Sequence, residues 1–177
     1  GILSPYAYYR QKKFVVENSF YGTTPFSFTA TAKDYYGIFI AALVPIIIGA
    51  VAVVAAAFFF APATVLVFLV LYLYLFAYFS VTTTNLLYNS TRLDAHRMKA
   101  SLEIKDYALL VLGNSLATAF TLGLFHPWAK VRIARYKIEH LTLLPTGSLD
   151  EFIAAEQKQI SSIGEEAGEF FDFDFGL

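Results

Sequence analysis

The sequence predicts a membrane α-helical protein in which small β-hairpins alternate with apolar helices. From Tyr35 to Thr91 the chain runs 57 residues with no Asp, Glu, Lys or Arg. Its composition is 57% hydrophobic and 15% charged, against roughly 45–50% and 25% in soluble domains. A motif of Gly-x-x-x-Pro-aromatic-Ala, followed by a basic segment, opens at Gly1 and again at Gly123. A hydrocarbon slab about 30 Å thick needs about 20 apolar residues per helical crossing. The uncharged tract therefore fits two crossings and a tight turn, and a soluble domain of 177 residues could not hide it.

Composition also excludes several functions. A net charge of -1 argues against an electrostatic nucleic-acid binder, so no nucleic-acid partner is expected. The absence of cysteine removes disulfides, thiol catalysis and Cys-ligated zinc. The opening Gly1-Ile2-Leu3-Ser4-Pro5 lacks an initiator Met and the pattern of a signal peptide, and it reads as an internal point of a longer protein.

The elements follow in order. Residues 1–35 form a cytoplasmic basic segment, with Arg10, Lys12, Lys13 and Lys33, and a hairpin. Residues 36–82 form a transmembrane helical hairpin, the first helix ending at Phe58–Pro62 because Pro62 cannot continue it. Pro45 adds a mild kink. The small residues of Gly49–Ala57 let the two helices approach closely, and Tyr72, Tyr74 and Tyr78 suit the headgroup level. Basic residues flank both outer ends and none lies in the turn, so the ends are cytoplasmic and the turn faces the other side.

Residues 83–106 form a second cytoplasmic hairpin, and 107–128 a third membrane segment. Basic clusters precede it (Arg92, Arg97, Lys99, Lys105) and follow it (Lys130, Arg132, Arg135, Lys137). A single crossing puts one cluster on the wrong side, which favours a re-entrant segment bent at Gly113-Asn114, shielded by protein. Against that, about 18 helical residues reach about 27 Å, enough to cross. Spanning and re-entrant readings both stand. Within this segment Asn114, Thr118 and Thr121 share one helical face, either as packing glue or as a solute-facing stripe.

Residues 129–152 repeat the basic segment and hairpin, and 153–177 form an acidic, Phe-rich tail, either solvated or docking through its Phe residues. Hairpins are expected at 14–30, 86–102 and 138–152, from alternation such as Phe26–Ala30 and turns at Tyr21-Gly22, Asp94-Ala95 and Pro145–Gly147. Laid over 123–140, residues 1–18 match at five of 18 positions: Gly, Pro, Ala, Arg and Glu. Lys33-Asp34-Tyr35 likewise echoes Lys105-Asp106-Tyr107, and Asn18-Ser19 echoes Asn89-Ser90. The repeated unit reads as apolar helix, Gly/Pro stop, basic segment, hairpin and next helix. In it the Pro stops the helix, Trp128 or Tyr6 anchors at the interface, and Arg10, Lys130, Arg132 and Arg135 contact lipid phosphates.

The stretch Thr121–Arg132, with Arg135-Tyr136, His140, Asn89–Leu93 and Pro25–Phe28, resembles the signature of the YjgN family over roughly residues 1–143. In the first copy Tyr6 replaces the Trp and Tyr8 the Lys. That resemblance implies a multi-pass protein of the bacterial inner membrane whose domain has no established activity, and it transfers no catalytic residue.

Nothing in the chain looks like catalytic or metal chemistry. His96, His126 and His140 lack the spacing of a helical metal site. His126 reads as an interfacial anchor, and His140 as a hairpin hydrogen-bonding residue. Asp34 and Asp106 read as helix caps. No Walker loop or nucleophile elbow occurs. A non-enzymatic protein without cofactors is expected: a scaffold or accessory subunit that meets membrane lipids and other membrane proteins or copies of itself. The alternative is a channel or transporter subunit for a small solute, suggested by repetition around broken helices.

Overall fold

A computed structural model of the protein describes residues 1–148, 153–155, 157, 158 and 161. Three helices run into a small sheet and two run out of it. Helix α1 (Ser4–Glu17) leads to strands β1 (Phe20–Tyr21) and β2 (Thr24–Phe28), from which α2 (Ala32–Phe59) departs. Helix α3 (Ala61–Asn89) returns to β3 (Thr91–Leu93) and β4 (His96–Ala100), and α4 (Ile104–Phe120) leaves again. Helix α5 (His126–Glu139) comes back to β5 (Leu141–Leu144).

The strands form one antiparallel sheet in the order β1-β2-β3-β4-β5. The hairpins expected from the sequence are joined edge to edge. Phe28 pairs with Thr91 across β2 and β3, and Ala100 pairs with Leu141 across β4 and β5. The two hairpins also start later than expected, because residues 14–17 belong to α1 and 86–89 to α3. Their turns are alike: Tyr21↔Thr24 and Leu93↔His96 each enclose two residues, the first with positive φ, Gly22 at 62° and Asp94 at 52°. Gly adopts that geometry freely, and Asp is among the few other residues that tolerate it. The expected second strand of a third hairpin falls beyond Ser148, outside the described residues, as does almost all of the tail.

The Gly-x-x-x-Pro motif does more than stop a helix. Pro5 and Pro127 both occupy the first turn of a new helix, where the missing N–H costs nothing and φ is already set. The basic segments are therefore helices of 14 residues each, with Arg10 and Arg132 both at the seventh position.

Helices α2 and α3, with 28 and 29 residues, reach about 42–44 Å at 1.5 Å each and extend past the expected 36–82 at both ends. Thr31 and Asp34 explain the early start. The Asp34 carboxylate accepts from the Thr31 N–H at 2.7 Å and from its hydroxyl at 2.8 Å, so Asp34 sits at the third helical position and Thr31 at the cap. Phe60 alone separates the helices, and Pro62 begins α3 rather than ending α2. The pair packs along its length through Phe39 against Phe79 (5.0 Å between rings) and the Tyr78 hydroxyl donating to the Ile38 carbonyl at 3.0 Å. At Gly49 an added Cβ would lie 2.5 Å from the Leu71 methyls, which is how closely the small-residue stretch brings the helices together.

The buried core sits where helices meet sheet. One cluster gathers Tyr35 with Val16, Phe28 and Ala30; the other gathers Tyr107 with Ala77, Val81, Ala100 and Leu102. Away from it, α2 and α3 expose Ile, Val, Leu and Phe side chains on nearly every turn.

Two asparagines near the end of α3 lock this junction. Asn85 donates to the Leu102 carbonyl and accepts from the Leu102 N–H, both at 3.0 Å. Asn89 does the same to Ala100, at 3.3 and 2.7 Å. Each carboxamide presents a donor and an acceptor side by side, as a neighbouring strand would. They hold the exit of β4 against α3.

Candidate functional site

The residues with the most chemistry meet in the α4–α5 hairpin. Helix α4 passes through Gly113-Asn114 without a break, so the bend expected there is absent. The chain turns instead at Thr121–Phe125, where Leu122 and Gly123 take φ of 52° and 94°. Helix α5 then runs back along α4: the Tyr107 and Tyr136 rings lie 6.0 Å apart, and the Ser101 N–H reaches the His140 carbonyl at 3.0 Å. The segment returns to the sheet it left, and α4, at 17 residues, is about 25 Å long.

Asn114 is the buried polar centre of this hairpin, 4% exposed. Its Oδ1 accepts from the Arg132 guanidinium at 3.0 Å, and its Nδ2 donates to the Ala129 carbonyl at 3.4 Å. Both bonds tie the Asn114 side chain of α4 to α5, one to a side chain and one to the backbone. A buried amide must find such partners, since leaving it unpaired costs about 1–3 kcal/mol. Thr118 and Thr121, on the same face, turn inward to their own helix: Thr118 donates to the Asn114 carbonyl at 2.7 Å and Thr121 to that of Ala117 at 2.8 Å. The Thr121 oxygen also accepts from the Phe125 N–H at 3.0 Å, which ties down the turn. The stripe is thus divided into one interhelical bridge and two backbone-satisfied hydroxyls.

The basic residues divide as well. Arg132 is held by Asn114, whereas Lys130 and Arg135 are exposed and, among the described residues, have no carboxylate partner; the ion pair formed is Lys13–Glu17 at 3.7 Å. Arg10 is exposed beside Lys13, Phe14 and Glu17 at a small pocket. Trp128 is 62% exposed near the tip, stacked on Phe125 at 6.3 Å. Phe120, Leu122 and Leu124, at the end of α4 and in the turn before α5, are exposed as well, making an apolar tip ahead of a basic helix.

Beside the hairpin runs a groove of about 620 Å³ between Phe76 of α3, the Asn114–Ala119 face of α4, and His126, Ala129 and Lys130 of α5. A second cavity, about 550 Å³, continues between α3 and α4 and shares Phe76, Val111 and Ser115 with the first. A third, about 500 Å³, is walled by Tyr8, Phe39, Tyr72, Phe76 and Phe79.

Two of the three histidines have structural partners, while His126 is exposed at the groove. His140 caps α5 with Nδ1 2.8 Å from the Tyr136 carbonyl, just as Asn18 caps α1 by donating to the Phe14 carbonyl at 2.8 Å; each closes its own helix rather than the hairpin. His96 accepts from the Thr146 N–H at 3.1 Å, binding the loop after β5 to β4. Among the described residues no three His, Asp or Glu side chains gather as a metal site would require. The Asn85 and Asn89 clamps escaped sequence reasoning; an Asn four residues from another near a helix end was their only signal.

These features define a mostly helical protein with a small antiparallel sheet and two helices, α2 and α3, long and apolar enough to cross a membrane. Over residues 1–170 the chain matches a bacterial family of unknown function, DUF898, and it belongs to that family. No curated protein and no solved structure matches it.

Proposed function

We propose that the chain is a multi-pass protein of the bacterial inner membrane, acting as a non-catalytic scaffold or accessory subunit. We also infer that its family is the one known as YjgN. The observation that carries the membrane reading is the state of α2 and α3. Only 6% and 11% of their most apolar 18-residue windows are buried, and they carry no charge from Tyr35 onward. Helices so apolar and so little covered are unsuited to water, where contiguous apolar patches rarely exceed a few hundred Å²; hydrocarbon is their natural solvent.

Internal repetition supports a common architecture. Units of entering helix, hairpin and leaving helix recur as α1-β1-β2-α2 and α3-β3-β4-α4, and α5-β5 opens a third. On this reading the sheet lies at the cytoplasmic face. Trp128 anchors the tip of the short hairpin, while Arg10, Lys130, Arg132 and Arg135 meet lipid phosphates.

The scaffold reading draws on the exposed helix faces and on the internal hydrogen bonds that occupy Asn114, Thr118 and Thr121. The transport alternative draws on the groove lined by Asn114, Ser115 and Thr118. Purification in mild detergent separates them. A stoichiometric membrane-protein partner supports the scaffold. A lone oligomer that conducts a solute in liposomes, with flux lost in an Asn114/Thr118/Thr121→Ala triple variant, supports transport and overturns the scaffold.

A further inference from the structure

The two cavities along α4 share Phe76, Val111 and Ser115, and together they line an amphipathic groove. At one end stand Leu66, Leu69, Leu73 and Phe76 of α3, with Val111 and Leu112 of α4. At the other end Lys130 and His126 reach the groove from α5, beside Ser115 and Thr118. Among the described residues, no Asp or Glu lines either part. Helix α5 carries Lys130, Arg132, Arg135 and Lys137 against Glu139 alone, and Arg132 is already engaged by Asn114. Each cavity lies within the roughly 300–1,000 Å³ of pockets that hold a small molecule.

We propose that this groove is a binding site for an anionic glycerophospholipid. One acyl chain lies along the Leu66–Phe76 face of α3, and the phosphate meets Lys130 and His126 near the start of α5. The site rests on the membrane reading above and deepens it by naming a lipid class and a seat. Charge complementarity selects the occupant. An ammonium on an apolar wall without a carboxylate needs a counter-charge, and an anionic lipid brings that charge attached to the hydrocarbon the rest of the groove requires. A zwitterionic lipid fills the apolar part equally well but adds its own cation beside Lys130.

The test is native mass spectrometry of the full chain in mild detergent, titrated with phosphatidylglycerol or phosphatidylcholine of identical acyl chains. One phosphatidylglycerol should be retained about fivefold better than phosphatidylcholine, and Lys130→Gln should remove that preference, as expected for one cation near a lipid phosphate. Ser115→Trp, which obstructs the groove where its two parts join without changing charge, should abolish retention of the bound lipid. Lys105→Gln, on the exposed start of α4, should change nothing. Equal retention of the two lipids, or a Lys130→Gln protein that behaves as wild type, overturns the site. An alkaline carbonate wash of membranes reads the underlying assumption separately. A chain that stays in the membrane but shows no lipid preference overturns the lipid site alone, and a chain released by the wash overturns both.

Discussion

Asn114 offers the sharpest test of how the short hairpin is held. Asn114→Leu keeps the branched shape and heavy-atom count of the side chain but removes the acceptor for Arg132 and the donor to Ala129. A hydrogen bond to a charged group is worth about 1.5–3 kcal/mol in a buried setting. Two facts reduce that figure here. Arg132 is exposed, so water or a phosphate replaces part of what it loses. The Ala129 bond is long at 3.4 Å, and interhelical bonds in membranes average about 0.6 and reach about 1.7 kcal/mol. The expected cost is therefore about 1 kcal/mol, a shift of about fivefold in the unfolding equilibrium. Trp128 is the single tryptophan and stands one helical turn from Arg132, so its fluorescence reports on this hairpin during unfolding in mixed detergent micelles. The double cycle with Arg132→Met should give a coupling near the same 1 kcal/mol. A coupling below about 0.3 kcal/mol, within the usual additivity of independent sites, would mean that the contact contributes nothing and that α5 is held by its apolar face alone.

Ala61→Cys should react with a membrane-impermeant thiol reagent only from the non-cytoplasmic side; labelling from the cytoplasm would invert the proposed orientation. Asp94→Val should destabilise the β3–β4 turn by about 1–2 kcal/mol because a β-branched residue resists positive φ, whereas Asp94→Gly should be neutral or better; equal melting temperatures for the two variants would contradict the turn geometry. Asn85→Leu and Asn89→Leu should each cost about 1–3 kcal/mol by stranding a backbone N–H and a carbonyl, and amide exchange at Ala100 and Leu102 should speed up correspondingly; unchanged exchange would show that the clamps are not used.

What the sequence revealed depended on the range of the interaction involved. The α2–α3 hairpin was legible because hydropathy and the absence of charge are local and continuous. Its true ends were not, since the Thr31–Asp34 cap starts α2 early and Asn85 and Asn89 satisfy backbone groups from inside a helix that looks polar. Pro5 and Pro127 were visible but ambiguous: a proline marks a break from one side and a first turn from the other, and two 14-residue helices were hidden in that ambiguity. The polar face of α4 was legible from its spacing. Its partner was not, because the bond from Arg132 to Asn114 spans 18 positions around a turn that no helical period describes. The joining of the hairpins into one sheet is longer in range still, set by packing at Tyr35 and Tyr107 rather than by any strand alone.

The seam between β2 and β3 has a topological consequence. Phe28 and Thr91 pair directly, yet 62 residues lie between them. That pairing can close only when everything in between departs and comes home on the same side, so in a bilayer the number of crossings it encloses must be even. The same parity governs the 40 residues enclosed by the pairing of Ala100 with Leu141. A molecule in which one helix failed to insert would leave complementary strands stranded on opposite faces, with a raw edge exposed on each. On the membrane reading proposed above, the little sheet would act as a parity check on insertion, closing over correctly threaded chains and leaving misthreaded ones open.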